Sequence, residues 1–507
     1  MINQSSAPSQ TRSFTTVFLI EMWERFGYYG MAALLVLFMI DKIGFADDHA
    51  NLTWGAFSAL VFSAPSIGGW IGDKVLGARR TMIFGALVLA IGYFMLALPI
   101  DALGFMYASL GVVVVGNGLF KSNAANLVRR IYEGDDARID SAFTIYYMAV
   151  NIGSTFSMLA TPWIKDHWGW HAAFAVCCGG MLLGIANFAL MRRTLGRIGS
   201  APDDLPIVWR RFVAVAMGSV AVAAATVFVL QHQAVASACV WAAGLGILGI
   251  FGYMLARCER SERAGLAAAL ILTLQVILFF VFYQQMSTSL TLFALRNVDP
   301  VFSIAGVPLF TWSAAQFQAL NPIWIMVMSP VLAFAYARLA KGGRDVSVAF
   351  KYALGFVVVA IGFFVFGVSG RYAVEGRVSS WFMVAGYGLY SLGELLVSGL
   401  GLAMIARYVP ARMSGFLMGA FFVATGVSQY LGSVVANVAH VPSGDFDPLR
   451  SLPLYTHLFM SLGWLAAGGA VFAIALLPLL ARLSRAHDRA GREVVQAGVG
   501  MGVEKTV

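Results

Sequence analysis

Charge is what this sequence has least of. Asp, Glu, Lys and Arg make up 12% of its 507 residues, about half the share of a soluble domain. With 59% apolar residues, that deficit excludes a water-soluble globular chain. Short strands of alternating polar and apolar residues are also missing, which excludes a β-barrel. Cysteine is scarce: Cys177, Cys178, Cys239 and Cys258 lie in or at the end of apolar runs. They show no CxxC or Cys/His spacing, so they read as packing residues and no metal is expected. No nucleophile–base pair marks an enzyme. The first 13 residues are polar and lack a cleavable leader pattern, so the first apolar run is expected to stay as a span.

What the sequence has in quantity is long apolar runs. Between charged and Pro/Gly-rich breaks they give about fourteen helices of membrane-spanning length. These lie near 14–41, 51–72, 80–99, 103–130, 139–163, 170–193, 208–230, 235–256, 264–290, 313–340, 348–369, 379–407, 412–440 and 455–483. The net charge of +9 invites a nucleic-acid reading, but the cations sit in short loops between spans. Sorting the 34 Lys and Arg by side puts about 26 with the termini and about 6 opposite, with the remainder in spans. Arg79/Arg80, Arg129/Arg130, Arg192/Arg193, Arg210/Arg211, Arg338/Lys341/Arg344 and Arg482/Arg485 all fall on the rich side. Both termini are therefore expected in the cytoplasm, with lipid and not nucleic acid as the macromolecular environment. Spans seven and eight carry no ionisable residue in their cores and follow the polar linker GRIGSAPDDLP. They read as a lipid-facing hairpin inserted between two six-helix halves. The expected division is 1–193, 194–263, 264–484, and a cytoplasmic tail at 485–507.

Five charged residues lie deep in spans: Glu21, Glu24, Arg25, Lys121 and Glu394. Each is expensive in hydrocarbon and must face a bundle interior or a watery cavity. In EMWERFGYYGM, Glu21 and Arg25 are i,i+4 and Glu21 and Glu24 are i,i+3, with Tyr28 and Tyr29 one turn on. At 1.5 Å per residue, Arg25 lies roughly 20 Å above Arg12, Lys121 about 14 Å above Arg130, and Glu394 about 20 Å above Arg407. The charges thus come to similar depth, near the midplane where transporters bind substrate. Three carboxylates against two cations leave the set one proton from neutral, which suits a proton-coupling site. Arg25 and Lys121 suit a substrate carboxylate, and Glu394 suits an ammonium. Tyr147 and Asn151 are i,i+4 at the same level. Asn321 precedes Pro322, a residue expected to weaken the helix locally.

Together these residues resemble the proton-dependent oligopeptide transporter family of the major facilitator superfamily. That family's ExxERFxYY motif is complete in Glu21, Glu24, Arg25, Phe26, Tyr28 and Tyr29. Its fourth-helix lysine looks like Lys121. Its FTIYYMAVNIG-like and FQxxNP segments place substrate contacts at Tyr147, Asn151 and Asn321, and its tenth-helix Glu looks like Glu394, with Ser398 one turn on. The superfamily's loop 2–3 motif appears in GGWIGDKVLGARR, with Asp73, Arg79 and Arg80. The resemblance implies an all-α polytopic protein of the major facilitator fold. The implied activity is proton-driven uptake of di- and tripeptides across a bacterial inner membrane by alternating access, as a monomer, with the proton as coupling ion and no cofactor. Transport of nitrate or another small anion, or drug export, is the alternative on the same fold. A sensor role would call for a soluble signalling domain. Two departures stand out. Ala32 and YQQMSTS (with Gln284 and Gln285) occupy places where some members put an Arg and an acid, so the coupling falls more heavily on Glu21, Glu24 and Lys121. The His some members carry in helix 2 is also absent. Arg296 and Asp299, at the outer end of helix 7, read as a solvated loop in preference to a gate pair.

Overall fold

The computed structural model describes residues 9–196, 198–342, 346–397, 408–409, 411–439, 441 and 447–503. Ser398, Arg344 and Arg407 lie outside them. Helices dominate: α1 (Gln10–Asp41), α2 (Asp47–Ser63), α3 (Pro65–Lys74), α4 (Ala78–Ala97), α5 (Leu103–Ile131), α6 (Asp136–Trp168) and α7 (Trp170–Met191) come first. Then follow α8 (Trp209–Gln231), α9 (Gln233–Arg257), α10 (Arg260–Tyr283), α11 (Ser289–Asn297), α12 (Leu320–Lys341), α13 (Val348–Val368), α14 (Ser380–Val397), α15 (Ala411–Ala436) and α16 (Pro448–Val503).

Two expected spans are broken in the structure. The second divides into α2 and α3 at Pro65, which starts α3 at a position where its missing N–H costs nothing. The ninth divides into α10 and α11 through a 3-10 turn, Gln284–Met286. Pro322 does not break a helix either. It lies in the first turn of α12, just after the 3-10 segment Ala314–Ala319. The chain is also not wholly α. Strands β1 (Val301–Ile304) and β2 (Val307–Thr311) form an antiparallel hairpin after α11. Ala305 and Gly306, both with positive φ, make its two-residue turn. The segment expected as a separate tail continues the helix of α16 as far as Val503.

Ten stretches are long and apolar enough to cross a membrane among the described residues. Helices α1 and α6, diluted by polar residues, and α2, α3 and α14 are not among them. The N-terminal helices pack α1 on α6 and α7, and α4 on α5 and α7. The C-terminal helices pack α13 on α14 and α16, and α10 on α15 and α16. Between the two sets, α2 lies along α15 and α6 meets α12. Helices α8 and α9 bury few side chains, Thr226 and Leu230 on one and Ala236, Val240, Ile247 and Phe251 on the other. They lean on different neighbours, α8 on α5 and α9 on α15.

Candidate functional site

Arg25 sits at the middle of the 32-residue α1, with Glu21, Glu24 and Tyr28 buried beside it. Gly153 explains how α6 comes so close. A Cβ there would collide with the Met22 carbonyl and crowd Arg25 Cβ at 3.2 Å. This approach delivers Tyr146, Tyr147 and Asn151 to the level of the charges.

The Arg25 Nε is 3.1 Å from Glu21 Oε1 and also contacts Glu24 Oε2. The Arg25 guanidinium lies 5.5 Å from the Tyr28 ring centroid. Asn117, one turn before Lys121 on α5, donates to Glu24 Oε1 at 3.4 Å. Tyr146 lies beside Glu21. Buried atoms of the cluster without a hydrogen-bond partner among the described residues include Glu21 Oε2, Arg25 Nη2 and Asn117 Oδ1. Lys121 forms no ion pair within 4 Å there, and its Nζ stands 4.7 Å from the Phe62 ring centroid. It still feels Glu24 and Glu21 electrostatically.

A second cluster belongs to α12 and α14. Asn321 donates through Nδ2 to Glu394 Oε2 at 2.7 Å and to Ser391 Oγ at 3.0 Å. Pro322 matters here because the helix starts at Leu320, which presents Asn321 from its first turn. The Tyr147 hydroxyl approaches Glu394, and Tyr29 and Tyr283 feel the same carboxylate. The Asn151 amide nitrogen donates to the Tyr147 carbonyl at 2.8 Å, leaving its own carbonyl oxygen outside that bond.

The five charges within the helices therefore form two clusters and not one set. Glu21, Glu24, Arg25 and Lys121 gather on the N-terminal helices, and Glu394 stands on the C-terminal ones, with Tyr29, Tyr147 and Tyr283 between. Sequence reading missed Asn117, Tyr146, Phe62, Tyr283 and Ser391. Asn117 is four residues before Lys121 and Tyr146 is next to Tyr147, so both carried a signal.

One further expectation is overturned, and two other stretches singled out in the sequence find their partners. Arg296 is buried and not part of a solvated loop. Its guanidinium makes a two-pronged pair with Asp47 at the start of α2, and it donates to Tyr455 Oη at 2.7 Å. Asp299 turns to its own loop, accepting from Val301 N at 2.9 Å. Gln284 and Gln285 are tied to α15. Gln284 donates to Ser433 at 3.2 Å, and Gln285 to the Val281 and Gly432 carbonyls at 3.0 and 2.8 Å. In the loop 2–3 motif, Asp73 pairs with Asn126 at 2.8 Å and accepts from Ser200 at 3.2 Å. Arg79 and Arg80 instead hold the linker around Asp203.

Two packed sets of long apolar helices with charged clusters buried between them define a polytopic membrane protein built like a transporter. The chain belongs to the POT family, whose PTR2 profile matches residues 79–452. It is 42% identical over 486 residues to dipeptide and tripeptide permease A of Salmonella typhimurium, covering 96% of this chain and 95% of that one. Permease A of Escherichia coli K12 is 41% identical over 493 residues, with 97% of each chain covered. Among solved structures, a bacterial homologue of the human drug peptide transporters PepT1 and PepT2 superposes with a TM-score of 0.85 at 55% identity. That match covers 94% of this chain and all of that one. Tetrameric PepTSo2 gives 0.86 at 55%, covering 94% and 99%.

Proposed function

We propose that this protein carries di- and tripeptides into the cell by proton-coupled symport. Fourteen spans, counting α2–α3 and α10–α11 as one each, put both termini in the cytoplasm of a bacterial inner membrane. Residues 1–193 and 264–484 form two six-helix halves, with 194–263 the linker and inserted pair. Each chain is a complete transport unit, working as a monomer without a cofactor.

The observation that carries this reading is the division of charge. Arg25 and Lys121 stand on one half, and Glu394, held by Asn321, stands on the other. A peptide has a carboxylate and an ammonium to match. Arg25 Nη2, a buried donor without a partner, and Lys121 suit the carboxylate. With the Asn321 nitrogen turned to Glu394, its carbonyl oxygen joins that of Asn151 and the Glu394 carboxylate around the ammonium. Tyr28, Tyr29 and Tyr147 wall the space between, and the resemblance adds Ser398, outside the described residues, to the substrate-binding set. A substrate bridging both halves favours the state in which they close on it. Protonation of the Glu21/Glu24 group releases Arg25 to the peptide, and proton loss to the cytoplasm takes Arg25 back and lets the peptide go.

The test is uptake of dialanine into proteoliposomes with an inward proton gradient, with tripeptides as competitors. Accumulation above a gradient-free control, reduced by the competitors, is expected. Equal levels with and without the gradient would refute the proposal.

A further inference from the structure

The linker between α7 and α8 is folded onto the N-terminus of α4. Asp203 accepts from the backbone N–H of Arg79 at 3.1 Å, of Arg80 at 3.4 Å and of Ser200 at 2.9 Å, so its carboxylate is engaged by the main chain. Arg80 donates to the carbonyls of Pro202 (2.9 Å), Asp203 (3.3 Å) and Leu205 (2.6 Å). Arg79 donates to Gly196 and Asp203 carbonyls, and its Nε is 3.9 Å from Asp203 Oδ1. The Asp203 carboxylate offsets part of the Arg79 charge, whereas the bonds to neutral oxygens fix Arg80 without cancelling its charge.

Beside this knot is a cavity of about 550 Å³ between α4, α7 and α8. Four arginines line it: Arg79, Arg80, Arg192 and Arg211. Arg192 and Arg211 are exposed. Asp203 is the one acidic residue in the lining among the described residues. The wall deeper in the membrane is apolar, from Ile83, Phe84, Leu87, Phe188 and Phe212. A second groove of about 410 Å³ runs along the other side of α8, and Arg211 lines both. From Arg211 it follows Ala214, Val215, Gly218, Ser219 and Val222, which is roughly 16 Å of helix.

We propose that this is a binding site for an anionic phospholipid. Its headgroup phosphate lies among Arg192, Arg211, Arg79 and Arg80, and its two acyl chains lie in the grooves flanking α8. Charge complementarity selects the occupant. Clustered cations where apolar grooves begin, on the side assigned above to the cytoplasm, suit a molecule with a fixed negative head and two hydrocarbon tails. A zwitterionic lipid adds an ammonium the arginines repel, and a soluble phosphate makes no use of the grooves. Helix α8, which buries so few side chains of its own, would be fastened to α4 and α7 through this lipid.

The full-length protein in neutral detergent, titrated with dioleoyl phosphatidylglycerol and followed by native mass spectrometry, tests this. Arg192→Gln/Arg211→Gln should bind about thirtyfold more weakly than the unaltered chain. Arg482→Gln/Arg485→Gln, an equal charge loss on the same side, should bind unchanged. Gly218→Phe keeps every arginine and fills the second groove, where a Cβ meets nothing within 4 Å. It should also weaken binding. Equal affinity of the two arginine variants, an unaffected Gly218→Phe, equal binding of phosphatidylcholine, or displacement by excess inorganic phosphate would each overturn the proposal.

Discussion

Lys121, half-buried, differs from the fully buried Arg25. Arg25 has two carboxylates in contact, whereas Lys121 rests over the Phe62 ring with its nearest acids beyond ion-pair distance. An ammonium so placed inside the helix bundle depends on the charge state of Glu24 and Glu21, and any substrate carboxylate must share it. Lys121→Ala is therefore expected to abolish proton-driven accumulation in proteoliposomes, and intact accumulation in that variant would contradict the coupling role. Asn117, one turn before Lys121 on the same helix, also acts on Glu24, donating to its Oε1. A hydrogen bond to a charged group contributes about 1.5–3 kcal/mol. Asn117→Leu should thus slow proton-driven uptake by about tenfold or more. Gradient-free exchange of labelled for unlabelled dialanine should change much less. An equal loss in both assays would make Asn117 a substrate contact. The opposite cluster gives a matching expectation: Glu394→Gln should lose uptake of peptides with a free amino end and spare analogues that lack one. If both are lost equally, Glu394 serves the fold or the proton instead.

At the scale of helices, most of the chain was legible because hydrocarbon demands long apolar runs with paired backbones. Helix limits such as 170–193 against Trp170–Met191, or 348–369 against Val348–Val368, differ by a residue or two. What escaped was local. Pro65 and the polar stretch Gln284–Ser289 do mark the two breaks in sequence, but each lies inside an apolar run long enough to be read as one continuous span. The β hairpin is eleven residues of loop, too short for a period to show. Charged site residues announced themselves by their cost in a span, whereas Ser391 and Tyr283 look like any helix-packing residue until their partners are known. Helix approach is equally silent in sequence, and it rests on glycines whose neighbours are distant in the chain. Gly153→Val would force a side chain into the Met22 carbonyl and push α6 off α1. A clash of this kind costs about 1–3 kcal/mol, so a lower Tm in detergent is expected. Gly179→Ala, where a Cβ meets nothing within 4 Å, should leave Tm unchanged. If both melt alike, close packing at Gly153 is not what holds α1 to α6.

Across the whole molecule, the links between the two helix sets gather toward one end. Asp47 pairs with Arg296 and, through it, Tyr455, while Asn51 donates to Asn437 at 2.9 Å. Closer to the charged clusters, Gln318 donates to the Ala33 carbonyl at 3.2 Å and Gln316 to that of Leu159 at 2.9 Å. Helix α1 ends at Asp41 and α2 begins at Asp47, so this end is opposite the N-terminus and, in the proposed orientation, faces outward. A buried two-pronged ion pair that must part for substrate to enter acts as a latch. Removing one partner leaves the other charge buried and alone, which costs about 3–5 kcal/mol in the closed state. An open form solvates that orphan, so Asp47→Asn should shift the population toward outward-open by a large factor, since about 1.4 kcal/mol is already tenfold. Spin labels at Asp48 and Leu449 would report this as a longer distance in Asp47→Asn and in Arg296→Gln. Asp47→Arg/Arg296→Asp, which restores opposite charges with the ends exchanged, should bring back much of the short distance. The same effect measured on the double variant as on the sum of the singles would mean the two residues act independently. The latch would then have to be sought in Asn51 and Asn437.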